Sequence, residues 1–133
     1  LHFLHLTKSK MILKRKKDFL DKQKEYGRRI HDVKRLYFEQ LEFEKDINTR
    51  MEDEMGIISS KTNVNRDIEI TKRVKPYLIK LDSINEAKRQ LILNIVSLRV
   101  KHDNLILKSD AFAFDITLMI QTISKELTRD SDV

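Results

Sequence analysis

The stretch from Val74 to Ile123 decides the fold, because its apolar residues recur every seven positions. It reads VKPYLIKLDSINEAKRQLILNIVSLRVKHDNLILKSDAFAFDITLMIQTI. One row of this repeat holds only apolar side chains, namely Tyr77, Ile84, Leu91, Leu98, Leu105, Phe112 and Met119. Such spacing is typical of a helix that packs lengthwise against other helices in a coiled coil. We therefore predict one long helix here, with this row in the interface.

A second row of the same repeat is mixed in character. Its apolar members are Val74, Leu81, Ile95, Ile116 and Ile123, and the last four are predicted to share the interface. Its other three members, Lys88, His102 and Ser109, are polar. Polar residues at such positions fix the register and the number of strands at some cost in stability. We expect these three residues to select the partner helix.

The same helix is apolar on further faces. One face carries Leu78, Ile92, Ile106, Ala113, Ile120 and Leu127, and another carries Leu93, Val100, Leu107 and Phe114. A single neighbouring helix cannot cover all of these positions. We therefore predict a bundle of three or more helices, some of them supplied by other chains. A hetero-oligomer is preferred over a homo-oligomer.

Turn-forming residues are scarce, since the 133 residues include two glycines and one proline. Long elements follow, because turns depend on such residues. Helix 1 should end at Gly56 in the left-handed conformation, and helix 2 should break or kink near Pro76. The predicted segments are an apolar extension (1–6), helix 1 (7–56), a turn (57–66), helix 2 (67–128) and a tail (129–133). The fold class is all-α, an elongated antiparallel helical hairpin or coiled coil.

Helix 1 has a less regular apolar pattern than helix 2. Its first half repeats every seven residues at Ile12, Phe19, Tyr26 and Val33. In its second half the apolar stripe is expected to drift to Phe43, Ile47, Met51 and Met55. The predicted seam of helix 1 is therefore imperfect.

Charge is unevenly distributed along helix 1. Residues 8–35 hold twelve Lys or Arg and four Asp or Glu, a net charge of +8 in a chain of net +6, and residues 39–54 are acidic. The basic strip, our term for its clustered cations, comprises Lys14, Arg15, Lys16, Lys17, Arg28, Arg29, Lys34 and Arg35. It is either a solvated helix face or a surface that binds a polyanion, such as nucleic acid or the acidic tails of filament subunits.

Local signatures of chemistry are missing from the sequence. There is no phosphate-binding glycine loop, no H-E-x-x-H and no calcium loop, and the pair His2 and His5 lacks a third metal ligand. We expect no enzyme activity, no metal, no cofactor, no small-molecule substrate and no membrane span. The lack of cysteine fits an intracellular protein, either cytoplasmic and cytoskeletal or nuclear. The first residue is Leu, which suggests an excerpt of a longer protein.

These features predict a non-catalytic structural or adaptor subunit that holds a larger assembly together through coiled-coil contacts. Cytoskeletal, ciliary and chromosome-associated complexes are the expected settings, because they use long helical rods. The alternative is a basic helical module that binds a polyanion through residues 8–35.

Overall fold

The computed structural model describes the backbone from His2 to Ser131 and the side chains of residues 7–129. Three helices make up almost all of this part, which contains no strand, so the protein is all-α. The helices are α1 (His2–Ser60), α2 (Arg66–Arg73) and α3 (Lys75–Ser131). Of the predicted extension and tail, Leu1 and residues 132–133 lie outside the described residues, as do the side chains of 2–6 and 130–131.

Helix α1 continues past Gly56, where the sequence predicted its end. Gly56 is helical, and neither glycine of the chain has a positive φ. The helix continues for another turn because the apolar side chain of Ile58 is buried, only 2% exposed. The Ser59 hydroxyl donates a hydrogen bond to the Met55 carbonyl oxygen at 2.9 Å, and the helix ends at Ser60.

Residues 61–65 connect α1 to α2, and asparagines provide the turn geometry. Asn63 has a φ of 62°, in the left-handed region that asparagine tolerates better than most residues. Asn65 is the N-cap of α2, and its Oδ1 accepts hydrogen bonds from the N–H groups of Asp67 and Ile68 at 3.1 and 3.4 Å. Such a cap satisfies donors that a helix start otherwise leaves free.

Val74 is the single residue between α2 and α3. Its N–H donates to the carbonyl of Ile70 at 2.8 Å, and its own carbonyl accepts from the N–H of Leu78 at 3.1 Å. Pro76 lies in the first turn of α3, where a helix does not need the N–H that proline lacks. The interruption near Pro76 is therefore one residue long.

The chain divides into two compact units, and each long helix contributes to both. Unit 1 comprises Leu1–Arg29 and Leu98–Val133, and unit 2 comprises Ile30–Ser97. In unit 1, the rings of Phe19 and Phe112 lie 5.7 Å apart between centroids. Leu98 and Leu105 are buried in the same unit.

The contacts of unit 1 follow an antiparallel order. Residues 8–15 of α1 share a depression with residues 112–119 of α3, and residues 22–29 share another with residues 101–108. Later residues of α1 thus contact earlier residues of α3. Within this unit the two helices therefore run in opposite directions.

Unit 2 has its own apolar core and the same order of contacts. Ile47, Ile58 and Val74 are buried in it. Ion pairs join Glu44 to Lys88, and Glu54 to Arg73. The α1 segment and the α2–α3 segment of this unit are also antiparallel.

In both units the less exposed positions alternate in steps of three and four residues. On α1 they include Phe19, Gln23, Tyr26, Ile30, Val33, Tyr37, Gln40, Glu44, Ile47, Met51, Glu54 and Ile58. On α2 and α3 the same spacing begins at Ile70 and continues from Val74 to Ile123. This corrects the predicted drift on helix 1, because Phe43 and Met55 are exposed while the polar Gln40, Glu44 and Glu54 are half-buried.

Replacing Ile58 with alanine should lower the free energy of unfolding by about 2 to 4 kcal/mol, because it removes buried apolar surface and leaves a cavity. The neighbouring Ile57 is 40% exposed and provides a matched control. Ile57→Ala should cost less than about 1 kcal/mol. Urea denaturation followed by circular dichroism measures both, and equal losses would contradict this account of the end of α1.

Candidate functional site

The residues predicted to form the interface all lie on one half-buried or buried stripe. In unit 2 these are Tyr77, Leu81, Ile84, Leu91 and Ile95. In unit 1 they are Leu98, Leu105, Phe112, Ile116, Met119 and Ile123. Contacts such as Phe112 with Phe19 show that α1 of the same chain packs against this stripe. Much of the predicted interface is therefore occupied inside the chain.

The three polar residues of the stripe, Lys88, His102 and Ser109, are half-buried. The Lys88 ammonium donates a hydrogen bond to the carboxylate of Glu44 on α1. Such a pair favours one register of the two segments, because a shift along the helix would leave a charge without its partner. The pairing observed for Lys88 thus lies within the chain.

Acidic residues on α1 fill stripe positions that the sequence reasoning missed. Glu44 faces Lys88, and the Glu54 carboxylate accepts a hydrogen bond from Arg73 at 3.2 Å. The signal in the sequence was the unbroken alternation of three and four residues, which continues through Glu44 and Glu54. The alternation is not visible when only the apolar residues of α1 are considered.

A charged cluster ties the start of α2–α3 to the end of α1 in unit 2. Arg73 donates hydrogen bonds to Glu69 at 2.9 Å and to Glu54 at 3.2 Å, and Lys61 donates to Glu69 at 3.3 Å. The hydrogen bond from Arg73, followed by that from Lys61, lowers the pKa of Glu69 from its ordinary value of 4.5. The carboxylate is therefore held in its charged form.

The eight residues of the basic strip are all exposed. Arg35 pairs with Glu39 at 3.3 Å, one turn away on the same helix. The Arg15 guanidinium lies 5.0 Å from the centre of the Phe112 ring, within the range of a cation–π contact. The other six form no ion pair with any residue whose side chain is described.

A row of large apolar side chains lies on the side of α3 opposite its buried stripe. We call it the outer row, and its members in unit 1 are Val100, Leu107 and Phe114, which are 54%, 66% and 63% exposed. Leu93 of unit 2 is 55% exposed. Isolated exposed apolar residues are common, but the three residues of the outer row recur at a constant spacing of seven on one face of the helix. Within the part of the chain that is described, no helix has an apolar stretch of the length that crossing a bilayer requires.

Two open depressions lie between α1 and α3 in unit 1. The apolar cleft, about 260 Å³, is lined by Lys8, Met11, Ile12, Arg15, Phe112, Asp115, Ile116 and Met119. The cationic groove, about 360 Å³, is lined by Lys22, Glu25, Tyr26, Arg29, Lys101, Asn104, Leu105 and Lys108. Of these, the sequence analysis named Arg15 and Arg29 in the basic strip, Ile12 and Tyr26 in the apolar repeat of helix 1, and the apolar residues of α3. A cation at every seventh residue from Lys8 to Arg29 was the signal it overlooked.

The side chains of residues 7–129 include no group of three or more His, Cys, Asp or Glu arranged to hold a metal ion. The side chains of His2 and His5 lie outside the described residues.

Comparisons with known proteins give no relative. No protein-family model matches the chain, and neither the curated proteins nor the solved structures include a match.

The stabilising contribution of Glu69 should be lost in acid. Its folded-state pKa is lowered, so its contribution is fully present above the unfolded value near 4.5 and is lost as the pH falls through the lowered pKa. The wild type should therefore melt at a higher temperature than Glu69→Gln above pH 4.5, and this difference should shrink as the pH falls below that value.

Thermal melts at a series of pH values measure the effect, with Glu52→Gln as the control. Glu52 is an exposed carboxylate without an ion pair to a described residue, so its replacement should have little effect at any pH. A difference between wild type and Glu69→Gln that grows toward low pH would disprove the assignment.

Proposed function

We propose that this chain is a non-catalytic coiled-coil adaptor, a subunit that holds a larger protein assembly together by packing its helices against those of partner chains. Its own two long helices form an antiparallel pair in this proposal, and further helices complete a bundle. The single observation that carries the proposal is the outer row of α3.

The outer row supports a partner because it lies opposite the buried stripe. Val100, Leu107 and Phe114 recur every seven residues, one in each heptad where the stripe has two, and α1 packs on the opposite side of the helix. A helix with two apolar seams is typical of the interior of a bundle, where each seam contacts a different neighbour. The outer row is therefore the seam that remains for another chain.

Burial of the outer row favours association. A large apolar side chain contributes about 1.5 to 3 kcal/mol when it passes from full exposure to burial. The side chains of the row are already partly covered, so each contributes less than that figure. Together they contribute more than an exposed ion pair, which is below about 1 kcal/mol. Because association also costs translational and rotational freedom, other contacts with the partner must add to this sum.

The exposed row should make the purified chain associate in a salt-insensitive way. We expect the wild type to exceed its monomer mass of 15.9 kDa in light scattering at both low and high salt. Leu107→Gln combined with Phe114→Gln should return it to the monomer without loss of helicity, because both side chains are exposed.

Leu13→Gln combined with Leu20→Gln is the matched control. These leucines are 66% and 51% exposed and lie on α1, away from the outer row. The control pair should leave the association unchanged. A wild type that is monomeric at both salt concentrations would refute the adaptor proposal, and so would an outer-row variant that associates as the wild type does.

A second candidate function is the binding of a polyanion through residues 8–35. The observation in its favour is the exposure of the basic strip, seven of whose eight cations have no ion pair with a described residue. Nucleic-acid phosphates or acidic filament tails would gain from such a surface, because binding releases the counterions around both partners.

If this second function holds, affinity for a duplex DNA oligonucleotide must fall steeply with salt, by about one power of salt concentration for each phosphate contacted. Lys14→Glu, Lys16→Glu and Lys17→Glu together should reduce that slope. The control Lys45→Glu, Lys72→Glu and Lys80→Glu makes the same change of charge at exposed positions outside residues 8–35 and should preserve it. Fluorescence anisotropy over a salt series measures the slope, and equal effects of both variants would exclude the strip.

A further inference from the structure

The lining of the cationic groove of unit 1 carries more cations than carboxylates. Lys22 and Arg29 from α1 and Lys101 and Lys108 from α3 line the groove, and Glu25 is the only carboxylate among the lining residues. None of these four cations forms an ion pair with a residue whose side chain is described.

The groove places like charges on both of its walls. In unit 2 the antiparallel contacts bring opposite charges together, as in the pair of Glu44 and Lys88. In unit 1 the same order of contacts brings cations of α1 beside cations of α3. Neighbouring like charges destabilise the packing of helices, and solvent and salt only reduce the effect. An anion supplied from outside the chain would remove this cost.

The spacing of the cations indicates the shape of that anion. Lys8, Arg15, Lys22 and Arg29 follow one another at every seventh residue of α1, about 10.5 Å apart along the helix axis. On α3, Lys101 and Lys108 have the same spacing. A second helix laid lengthwise also repeats its contact face every seven residues, so its acidic side chains can meet both rows at regular intervals.

The position and lining of the apolar cleft distinguish a helical partner from a nucleic acid. On α1 its lining residues lie fourteen positions, about four turns, before those of the groove, so both depressions lie on the same side of α1. On α3 its lining residues lie eleven positions, about three turns, after those of the groove.

The two depressions favour different side chains of one occupant, apolar ones in the cleft and acidic ones in the groove. The cleft presents Met11, Ile12, Phe112, Ile116 and Met119, with Asp115 as its one carboxylate. A nucleic-acid duplex presents its phosphodiester backbone, which has no group that gains from these apolar side chains. An amphipathic helix offers both apolar and acidic side chains along one face.

We propose that the cationic groove and the apolar cleft of unit 1 together form the docking site for an acidic amphipathic helix of a partner protein. Its carboxylates lie between the rows of Lys22 and Arg29 on α1 and of Lys101 and Lys108 on α3. Its apolar side chains enter the cleft beside Met11 and Phe112. This inference rests on the proposed adaptor function and names one of the helices that the adaptor holds.

A designed peptide serves as the probe in the experiment. It has about four heptads, enough to cover the span from residue 8 to residue 29, with Leu and Ile at its apolar positions and Glu at the flanking ones. Repulsion between the Glu residues keeps the peptide from pairing with itself. A peptide with Lys in place of every Glu, and a single-stranded oligonucleotide, are measured in parallel against the full chain by fluorescence anisotropy.

Two double variants separate the groove from general charge. Lys22→Glu with Lys101→Glu reverses one cation on each wall. The control, Lys24→Glu with Arg99→Glu, makes the same change of charge on the same two helices at exposed residues that line neither depression. Met11→Ser tests the cleft, and Met11 is 66% exposed, so the fold does not depend on it.

The Glu peptide should bind the wild type, and the groove variant should raise its Kd at least tenfold. The control should change this Kd less than threefold. Met11→Ser should weaken binding of the Glu peptide and leave any binding of the oligonucleotide unchanged. No binding of the Glu peptide, equal losses in groove variant and control, or tighter groove-dependent binding of the oligonucleotide would each overturn the proposal. Light scattering of the wild type and of the outer-row variant is measured independently of peptide binding. Failure of the docking site and failure of the adaptor function can therefore be told apart.

Discussion

Each long helix buries only one narrow stripe, and the rest of the structure depends on this constraint. In each of the two units, the segments of α1 and α3 meet along positions that alternate in steps of three and four, so most of their surface stays in contact with water. The described residues include five buried apolar side chains and no buried polar one. Stability must therefore come from many half-buried contacts along the stripe, where one poorly matched position has few neighbours to compensate for it.

The narrow stripe explains why charged residues can occupy it. Glu44 and Lys88 lie in the stripe with their side chains about a third exposed or less, so each charge keeps part of its hydration while it gains a partner. A fully buried pair would lose much more hydration than the attraction returns. The same partial exposure leaves the Arg73, Glu69 and Glu54 cluster paired at the junction near Val74. Charge thus contributes mainly to the register of the helices, and apolar contacts contribute to their association.

The sequence predicts α3 better than α1 for a physical reason. Seven apolar residues from Tyr77 to Met119 repeat without exception, and all of them lie on the half-buried stripe. On α1 the stripe passes through Gln40, Glu44 and Glu54. The partners of the two carboxylates, Lys88 on α3 and Arg73 on α2, are not revealed by the local pattern of α1. The end of α1 was misplaced for a similar reason, since the burial of Ile58 outweighs the turn preference of Gly56. The cationic groove depends on which residues of α1 and α3 face each other, and that register is a property of the folded chain.

The two surfaces proposed for partners differ in what they can select. The outer row of α3 is a line of apolar side chains and would accept many apolar helices, because burial of such surface is non-directional. In the same proposal the cationic groove would reject basic helices by repulsion and favour acidic ones, so it would discriminate between partners more than it adds affinity. An adaptor would need both properties, since affinity without discrimination leads to aggregation. The four groove cations form no ion pair with a described residue, and a partner of the right charge would relieve their mutual repulsion on binding.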